Sequence, residues 1–228
     1  MPPSVRRSYT QAATLLQRSG VIQVEPAVAT ITLTSMARGF RASLPDKSLE
    51  PTPRLVETHD QPRPWTATWF DPPFLPELDH VDQAYGICFT NEGEILLICS
   101  HDLDGVTPYW NLPGGGLMPG ETLEQCLTRE VAEEACARVI GSRYLGCQRV
   151  DDLEHPDGPQ SFYQARLWAR VQLDRWDPRH EAFERRLVTP AEFLSVLAWG
   201  PSLTAAVILE DGLRLDAEAK LSERVTDT

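Results

Sequence analysis

The chain has 228 residues, of which 42% are hydrophobic and 24% are charged, a composition ordinary for a globular domain with extensions. Its net charge of −12 argues against nucleic acid as the main partner, because the backbone phosphates would be repelled. The sequence shows no apolar run of the roughly 18 residues that a membrane span needs, so we predict no membrane partner either. The five cysteines form no C-x-x-C pair, which favours a reducing compartment, the cytoplasm.

The first third of the chain is dominated by proline, with eight of the nineteen prolines lying between Pro45 and Pro76. Because proline removes a backbone donor and fixes φ, we predict an extended arm with little regular structure there. We therefore divide the chain into an N-terminal extension and Pro-rich arm of unknown function (1–78), a domain (79–212) and a polar C-terminal tail (213–228).

Strand and helix patterns alternate beyond residue 78. Strands are predicted in the segments QAYGICFT, ILLICS, RYLGCQRV, SFYQARLWARV and RRLVTP, the first two forming a hairpin. Helices are predicted from Thr122 to about Arg138, from Pro190, and from Ser202 to Gly212, with a frayed tail from Asp216. A polar loop, HDLDGVTPYWN, leads into a glycine triplet. These elements predict a mixed β-sheet covered by helices, an α/β fold.

Three glutamates are concentrated on the helix that follows the glycine triplet. At about 100° per residue, Glu130, Glu133 and Glu134 fall within an arc of roughly 100° beside the apolar face. Such a hard, oxygen-rich cluster suits Mg²⁺ or Mn²⁺, which substrate phosphates often share. Gly114 and Gly115 would let the backbone approach the metal closely. The plainer interpretation is that the acids form a solvated helix face.

A second pair of charges flanks these acids. Glu121 lies at the junction of loop and helix, and Arg129 precedes Glu130, pointing about 100° away from the acidic face. An ion pair between Glu121 and Arg129 would fix the loop against the helix and support a metal site.

The spacing of these residues closely resembles the signature box of the Nudix hydrolases (the MutT-like family). It runs through Gly115, Glu121, Arg129-Glu130-Val131 and Glu133-Glu134 and would occupy residues 115–137. The lead-in WNLPGGGLMPGE is similar to the usual approach to that box. One departure is that Cys136 stands where the family has glycine, which would let the helix run on to Val139.

The resemblance implies an α/β/α sandwich around a mixed sheet, and a hydrolase acting on nucleoside diphosphates linked to another moiety. Carried over by position, Glu130, Glu133 and Glu134 would bind Mg²⁺ or Mn²⁺ and orient or deprotonate water. A carbonyl of Gly114 or Gly115 would add a ligand. The partner would be a small phosphorylated substrate, and a homodimer is expected on resemblance alone.

Further residues could contact the substrate. Aromatic stacking on the base is the expected contact, and the candidates are Tyr109, Trp110 and Phe162. Alternation along the strand places Phe162 and Tyr163 on opposite sheet faces. The candidates for an additional downstream acid are Asp151, Asp152, Glu154 and Glu181.

Two functional hypotheses remain open on the sequence alone. The intact acids favour a metal-dependent pyrophosphohydrolase. Cys136 and the unassigned N-terminal residues leave room for a Nudix-like module that senses a nucleotide metabolite without cleaving it.

Overall fold

The centre of the molecule is a mixed β-sheet with helices on both faces. A computed structural model of the chain describes residues 47–59, 64–101, 106–155, 158–177 and 182–226. Its strands are β1 (Leu55–His59), β2 (Trp65–Phe70), β3 (Val81–Phe89), β4 (Ile95–His101), β5 (Pro108–Asn111), β6 (Gly114–Gly116), β7 (Ala137–Asp152), β8 (Gln160–Leu173) and β9 (Glu184–Val188). The helices are α1 (Leu123–Ala135), α2 (Pro190–Val196) and α3 (Leu203–Thr226). This architecture confirms the predicted fold class.

The strand order explains how distant parts of the sequence meet. The described strands run β1-β2-β7-β8-β3-β4-β5 across the sheet, with β6 pairing β3 and β9 pairing β4. Strands β3 and β8 are parallel, whereas β7 and β8 form a long antiparallel pair. Since β3 lies between β8 and β6, the glycine triplet is held against the middle of the sheet.

Each face of the sheet has its own apolar core. The core under α1 contains Leu123, Leu127 and Val131 of that helix, packed on alternate residues of β3 and β8. The other core packs α2 and α3 against Ile87 and Trp168, among others. Because side chains alternate along a strand, each residue of β8 can be assigned to one of these faces.

The proline-rich stretch is more ordered than its composition predicts. Strand β2 pairs with β7, and β1 pairs with β2, so both belong to the central sheet. The expected lack of regular structure is wrong here because the prolines flank two proline-free segments, which are free to donate ladder hydrogen bonds. The boundary drawn near residue 78 therefore runs through one continuous sheet. Residues 1–46 of the predicted N-terminal extension lie outside the described residues.

The C-terminal helix is also longer than predicted. It continues through the boundary at residue 212 to Thr226, and the tail expected to fray from Asp216 is helical. Asp216 is buried and lies 2.8 Å from Nη2 of Arg170 and 3.0 Å from Nζ of Lys220. These ion pairs fix the polar end of the helix against β8. Among the described residues, no helix is long and apolar enough to cross a membrane.

The start of α3 is capped by a residue from a distant strand. Glu57 of β1 accepts hydrogen bonds from the backbone N–H groups of Leu203 and Thr204, at 2.9 and 3.0 Å, and from the Thr204 hydroxyl. Burial opposes ionisation of this carboxyl most strongly, but the three hydrogen bonds outweigh it and lower the pKa of Glu57 below its ordinary 4.5. The helix dipole favours the same charge.

We expect Glu57→Ala to destabilise the fold by about 1–2 kcal/mol at neutral pH, the usual cost of a lost helix cap. A group whose pKa is lowered by folding contributes stability above its unfolded pKa and loses it as the pH falls through the folded value. The difference from wild type should therefore disappear in acid. Urea unfolding at several pH values measures it, with the exposed Glu210→Ala on the same helix as control. A Glu57→Ala deficit that persists undiminished at about pH 2 would contradict this explanation.

Candidate active site

The glycine strand β6 is held so close to α1 that a side chain would not fit. A Cβ atom at Gly115 would lie 2.3 Å from Oε1 of Glu130. The backbone of Gly115 also pairs with Ala84 of β3, so the strand cannot move away from the helix without breaking the sheet. A Cβ at Gly115 would therefore displace the Glu130 carboxylate. At Gly114, where φ is 148°, a Cβ would lie 2.4 Å from the backbone oxygen of Ala84, so glycine is required there. The triplet forms a strand because it pairs with β3, although its residue types predict no strand there.

Glu134 reaches the same strand from the next turn of α1. Its Oε2 accepts a hydrogen bond of 3.0 Å from the backbone N–H of Gly114. The geometry thus places two of the three predicted acids, Glu130 and Glu134, against consecutive residues of β6. Glu133 lies beside them and is the most exposed of the charged groups in contact with Arg129.

Arg129 connects the helix, the glycine strand and the preceding loop. It donates to Glu121 from Nε at 2.7 Å, to Glu130 from Nη1 at 2.7 Å, and to the carbonyl of Gly116 from Nη2 at 2.9 Å. The Glu121–Arg129 ion pair is present as predicted. The predicted direction of Arg129 is wrong, because its long side chain folds back across the helix toward the acids, reaching Glu133 at 3.4 Å as well.

Glu130 is the most buried of the three acids. It is 2% exposed, and this burial raises the pKa of its carboxyl, with the hydrogen bond from Arg129 opposing the shift. The nearby carboxylates of Glu133 and Glu121 push in the same direction as burial. A buried carboxylate with like-charged neighbours binds a cation more readily than a solvated one.

The donor atoms at this junction suit a hard divalent cation. They are carboxylate oxygens of α1 and backbone atoms of β6, whose glycines place no side chain between the strand and the acids. The three glutamates do not each bring an oxygen within 4.8 Å of the others, since Arg129 holds Glu130 and Glu133 while Glu134 bonds to Gly114. Within the described part of the chain, Glu77, Asp79 and His80 are the group that meets this distance.

Helix α1 ends earlier than the sequence predicts, at the residue before Cys136. The helix stops at Ala135, and Cys136 adopts the left-handed conformation with φ 46° and ψ 53°. Glycine is the residue that takes this conformation without strain. Arg185 stabilises the end by donating to the carbonyls of Ala135 and Cys136, and the N–H of Asp177 donates to Sγ of Cys136. The prediction that cysteine extends the helix to Val139 is therefore wrong.

We expect Cys136→Gly to raise the free energy of unfolding by up to about 1 kcal/mol. The left-handed conformation costs a non-glycine residue about 1–2 kcal/mol, from which the greater chain entropy of glycine is subtracted. Thermal or urea unfolding measures the change, and the β-branched Cys136→Val should be clearly less stable than wild type. If glycine were destabilising, the Sγ contact with Asp177 would be the stronger effect.

The other predicted residues occupy different environments. Tyr109 and Trp110 lie on β5, where Trp110 packs against the core beneath α3. Tyr163 belongs to the core under α1, whereas its neighbour Phe162 belongs to neither apolar core. Of the downstream acids, Asp151 bonds to Lys47, Arg149 and Ser161, so it ties the N-terminal segment to β7. Glu154 is exposed in a turn, Asp152 is buried at the end of β7, and Glu181 lies outside the described residues.

The sequence patterns did not predict a buried polar cluster on the sheet face opposite α1. It consists of Arg166 and Gln164 on β8, Gln83 on β3 and Gln148 on β7. A signal was present, because Gln164 and Arg166 interrupt an otherwise apolar strand with the spacing of two that places them on one face. Period alone could not show that residues from three strands converge.

The comparisons with known proteins agree with this geometry. A model of the NUDIX domain matches residues 80–207, more than half of the chain, and the protein therefore belongs to the NUDIX family. This confirms the family resemblance seen in the sequence.

Individual relatives match over shorter lengths. The nucleoside triphosphatases NudI of Salmonella agona (strain SL483) and Salmonella schwarzengrund (strain CVM19633) are each 40% identical over 74 residues, which are 31% of this chain and 52% of each relative. The match thus spans about half the length of these curated relatives. Among solved structures, a mutant of the Bacillus subtilis pyrophosphohydrolase BsRppH is similar with a TM-score of 0.50 and 22% identity, over 64% of this chain and 89% of that one. That likeness supports the fold.

Proposed function

We propose that this protein is a Mg²⁺- or Mn²⁺-dependent hydrolase that cleaves a pyrophosphate bond in a nucleoside diphosphate linked to another moiety. The observation that carries the proposal is the contact of Glu130 and Glu134 with the glycine strand, inside a domain that belongs to the NUDIX family. The NudI relatives are named as nucleoside triphosphatases, which agrees with a phosphorylated nucleoside as substrate.

Each residue of the site has its own role in this proposal. Glu130, Glu133 and Glu134 would hold the cation, with a carbonyl of Gly114 or Gly115 as an additional oxygen ligand. The bound metal would neutralise the pyrophosphate and lower the pKa of a coordinated water. One of the glutamates would orient that water or accept its proton. Arg129 and Glu121 would fix the carboxylates and the glycine strand in place.

The structure weakens the case for a module that only senses nucleotides. That hypothesis rested partly on Cys136, yet Cys136 adopts the conformation that glycine would adopt, so the end of α1 keeps its form. The buried thiols of four of the five free cysteines fit the proposed location, the cytoplasm. A homodimer remains an expectation from family resemblance.

A panel of nucleoside diphosphate derivatives and triphosphates, incubated with the protein and Mg²⁺, tests this proposal. We expect metal-dependent release of a phosphate-containing product from at least one compound, abolished by chelation. No turnover, together with a metal- and nucleotide-dependent rise in Tm, would support the sensor instead. If neither turnover nor a Tm shift occurred, the acids would be a solvated helix face.

A further inference from the structure

Arg166 is a buried cation without a carboxylate partner among the described residues. Its side chain is 5% exposed, on the central strand β8. Its Nη2 group donates to Gln164 at 2.8 Å and to Gln148 at 3.1 Å, both neutral amides. The Tyr85 ring lies 4.9 Å from its guanidinium carbon and gives partial compensation. Burial lowers the pKa of Arg166 to about 10, so the group stays charged at neutral pH.

Two of the three nitrogens of Arg166 have no acceptor among the described residues. Nε and Nη1 are both buried and unpaired within the part of the chain that the structure describes. Burying a charged donor without a partner is costly, so an unsatisfied group of this kind in a native protein calls for a specific reason. A ligand that supplies the missing acceptors is such a reason.

The surrounding glutamines leave the cluster with donors rather than acceptors. The amide oxygens of Gln148 and Gln164 accept from Arg166, and that of Gln83 accepts from Gln164. The amide N–H groups and the unpaired Nε and Nη1 of Arg166 therefore give the cluster more free donors than free acceptors. Such a cluster complements a chemical group that carries oxygen or nitrogen acceptors and no amino group.

The cluster is connected directly to the candidate catalytic strand. In the sheet register, Arg166 of β8 stands opposite Tyr85 of β3, which stands opposite Gly114 of β6. A Cβ atom at Gly114 would lie 2.7 Å from Cδ1 of the Tyr85 ring, and the Gly114 N–H bonds to Glu134. Arg166 is thus two strand spacings, about 10 Å, from the glycine strand. This separation suits the base of a nucleotide better than a phosphate adjoining the cleaved bond.

We infer that Arg166, with Gln83, Gln148 and Gln164, forms a base-recognition site that selects nucleotides with a keto oxygen at purine C6 or pyrimidine C4 over those with an amino group at that position. Guanine presents O6 and N7 as acceptors and uracil presents O4, whereas adenine and cytosine present an amino donor at the same position. An amino group facing these N–H donors would leave both unpaired, which is the strongest basis for rejecting a ligand. Phe162, on the same strand face, would flank this site.

The inference rests on the proposed hydrolase activity, and kinetics with four nucleoside triphosphates test it. For wild type, we expect kcat/KM with GTP and UTP to exceed that with ATP and CTP by at least about tenfold. Arg166→Met should remove most of this preference, mainly by raising KM for the keto nucleotides. Arg166→Lys, which keeps the charge but not the planar fork, should keep a reduced preference. The control is Arg143→Met, an exposed arginine on β7.

A binding measurement separates this inference from the catalytic proposal. GMP should raise the Tm of wild type more than AMP does, and the difference should vanish in a folded Arg166 variant. Equal losses for all four nucleotides in Arg166→Met would assign Arg166 to a phosphate and overturn base recognition. A wild type that turns over all four equally would overturn it too. If no nucleotide is hydrolysed, the catalytic proposal fails, and the GMP–AMP comparison still decides the inference about the base.

Discussion

Glu134→Gln is expected to lower kcat by at least about 100-fold while changing Tm by no more than about 3 °C. The glutamine oxygen can still accept the hydrogen bond from Gly114, so the contact between α1 and the glycine strand survives. What is lost is the negative charge that the proposed metal site needs. Steady-state kinetics at saturating Mg²⁺, together with thermal unfolding, measure both quantities.

The matched control for this variant is Glu124→Gln. Glu124 is an exposed acid in the first turn of the same helix. Its replacement should leave kcat within about twofold and cost only a few tenths of a kcal/mol from the helix dipole. Turnover of Glu134→Gln equal to that of Glu124→Gln would show that the Glu134 carboxylate takes no part in the reaction.

Arg129→Met should reduce both stability and activity, the stability by about 2–3 kcal/mol. Removing this guanidinium leaves the buried carboxylate of Glu130 without its donor, takes one hydrogen bond from the carbonyl of Gly116, and frees Glu121 from the helix. Losing one partner of a fully buried ion pair costs about 3–5 kcal/mol, and the partial exposure of Arg129 reduces that figure. Urea unfolding without metal measures the loss.

A surface arginine provides the comparison for Arg129. Arg138 pairs with Asp174, but both side chains are about half exposed, so Arg138→Met should cost no more than about 0.5 kcal/mol. In Arg129→Met we also expect turnover to require a higher metal concentration, because the acids lose the group that positions them. An Arg129 variant as stable as the Arg138 variant would mean that the network around the glycine strand does not support the fold.

The sequence predicted the elements whose signals are local. Thr122 caps α1 through reciprocal hydrogen bonds with Gln125, and Pro190 opens α2, as their residue types indicate. The spacing of the acids predicted their common helix face. These features depend on residues within a few positions of one another, and tertiary packing leaves them unchanged.

The features that the sequence did not predict depend on distant residues. Cys136 ends a helix because Arg185 caps the carbonyls there, from a strand about fifty positions away. The glycine triplet is a strand because it pairs with β3 and packs against α1. Strand β2 forms because β7 accepts it as a neighbour. Composition and period carry no information about such partners.

The segment before β1 also depends on contacts with distant residues. Glu50 accepts hydrogen bonds from Arg149 and from the Tyr163 hydroxyl, and Lys47 lies 2.9 Å from Asp151. Residues that the sequence places in an extension therefore pack on β7 and β8. We expect their removal to destabilise the sheet.

The central claim is that the glutamates of α1 bind a divalent cation, and anomalous diffraction from manganese-soaked crystals tests it directly. We predict an anomalous peak within about 2.5 Å of the carboxylate oxygens of Glu130, Glu133 or Glu134. The group of Glu77, Asp79 and His80 serves as an internal comparison, since it offers three ligand atoms close together. Manganese bound at that group while the α1 glutamates stay free of metal, in a well-folded protein, would contradict the account.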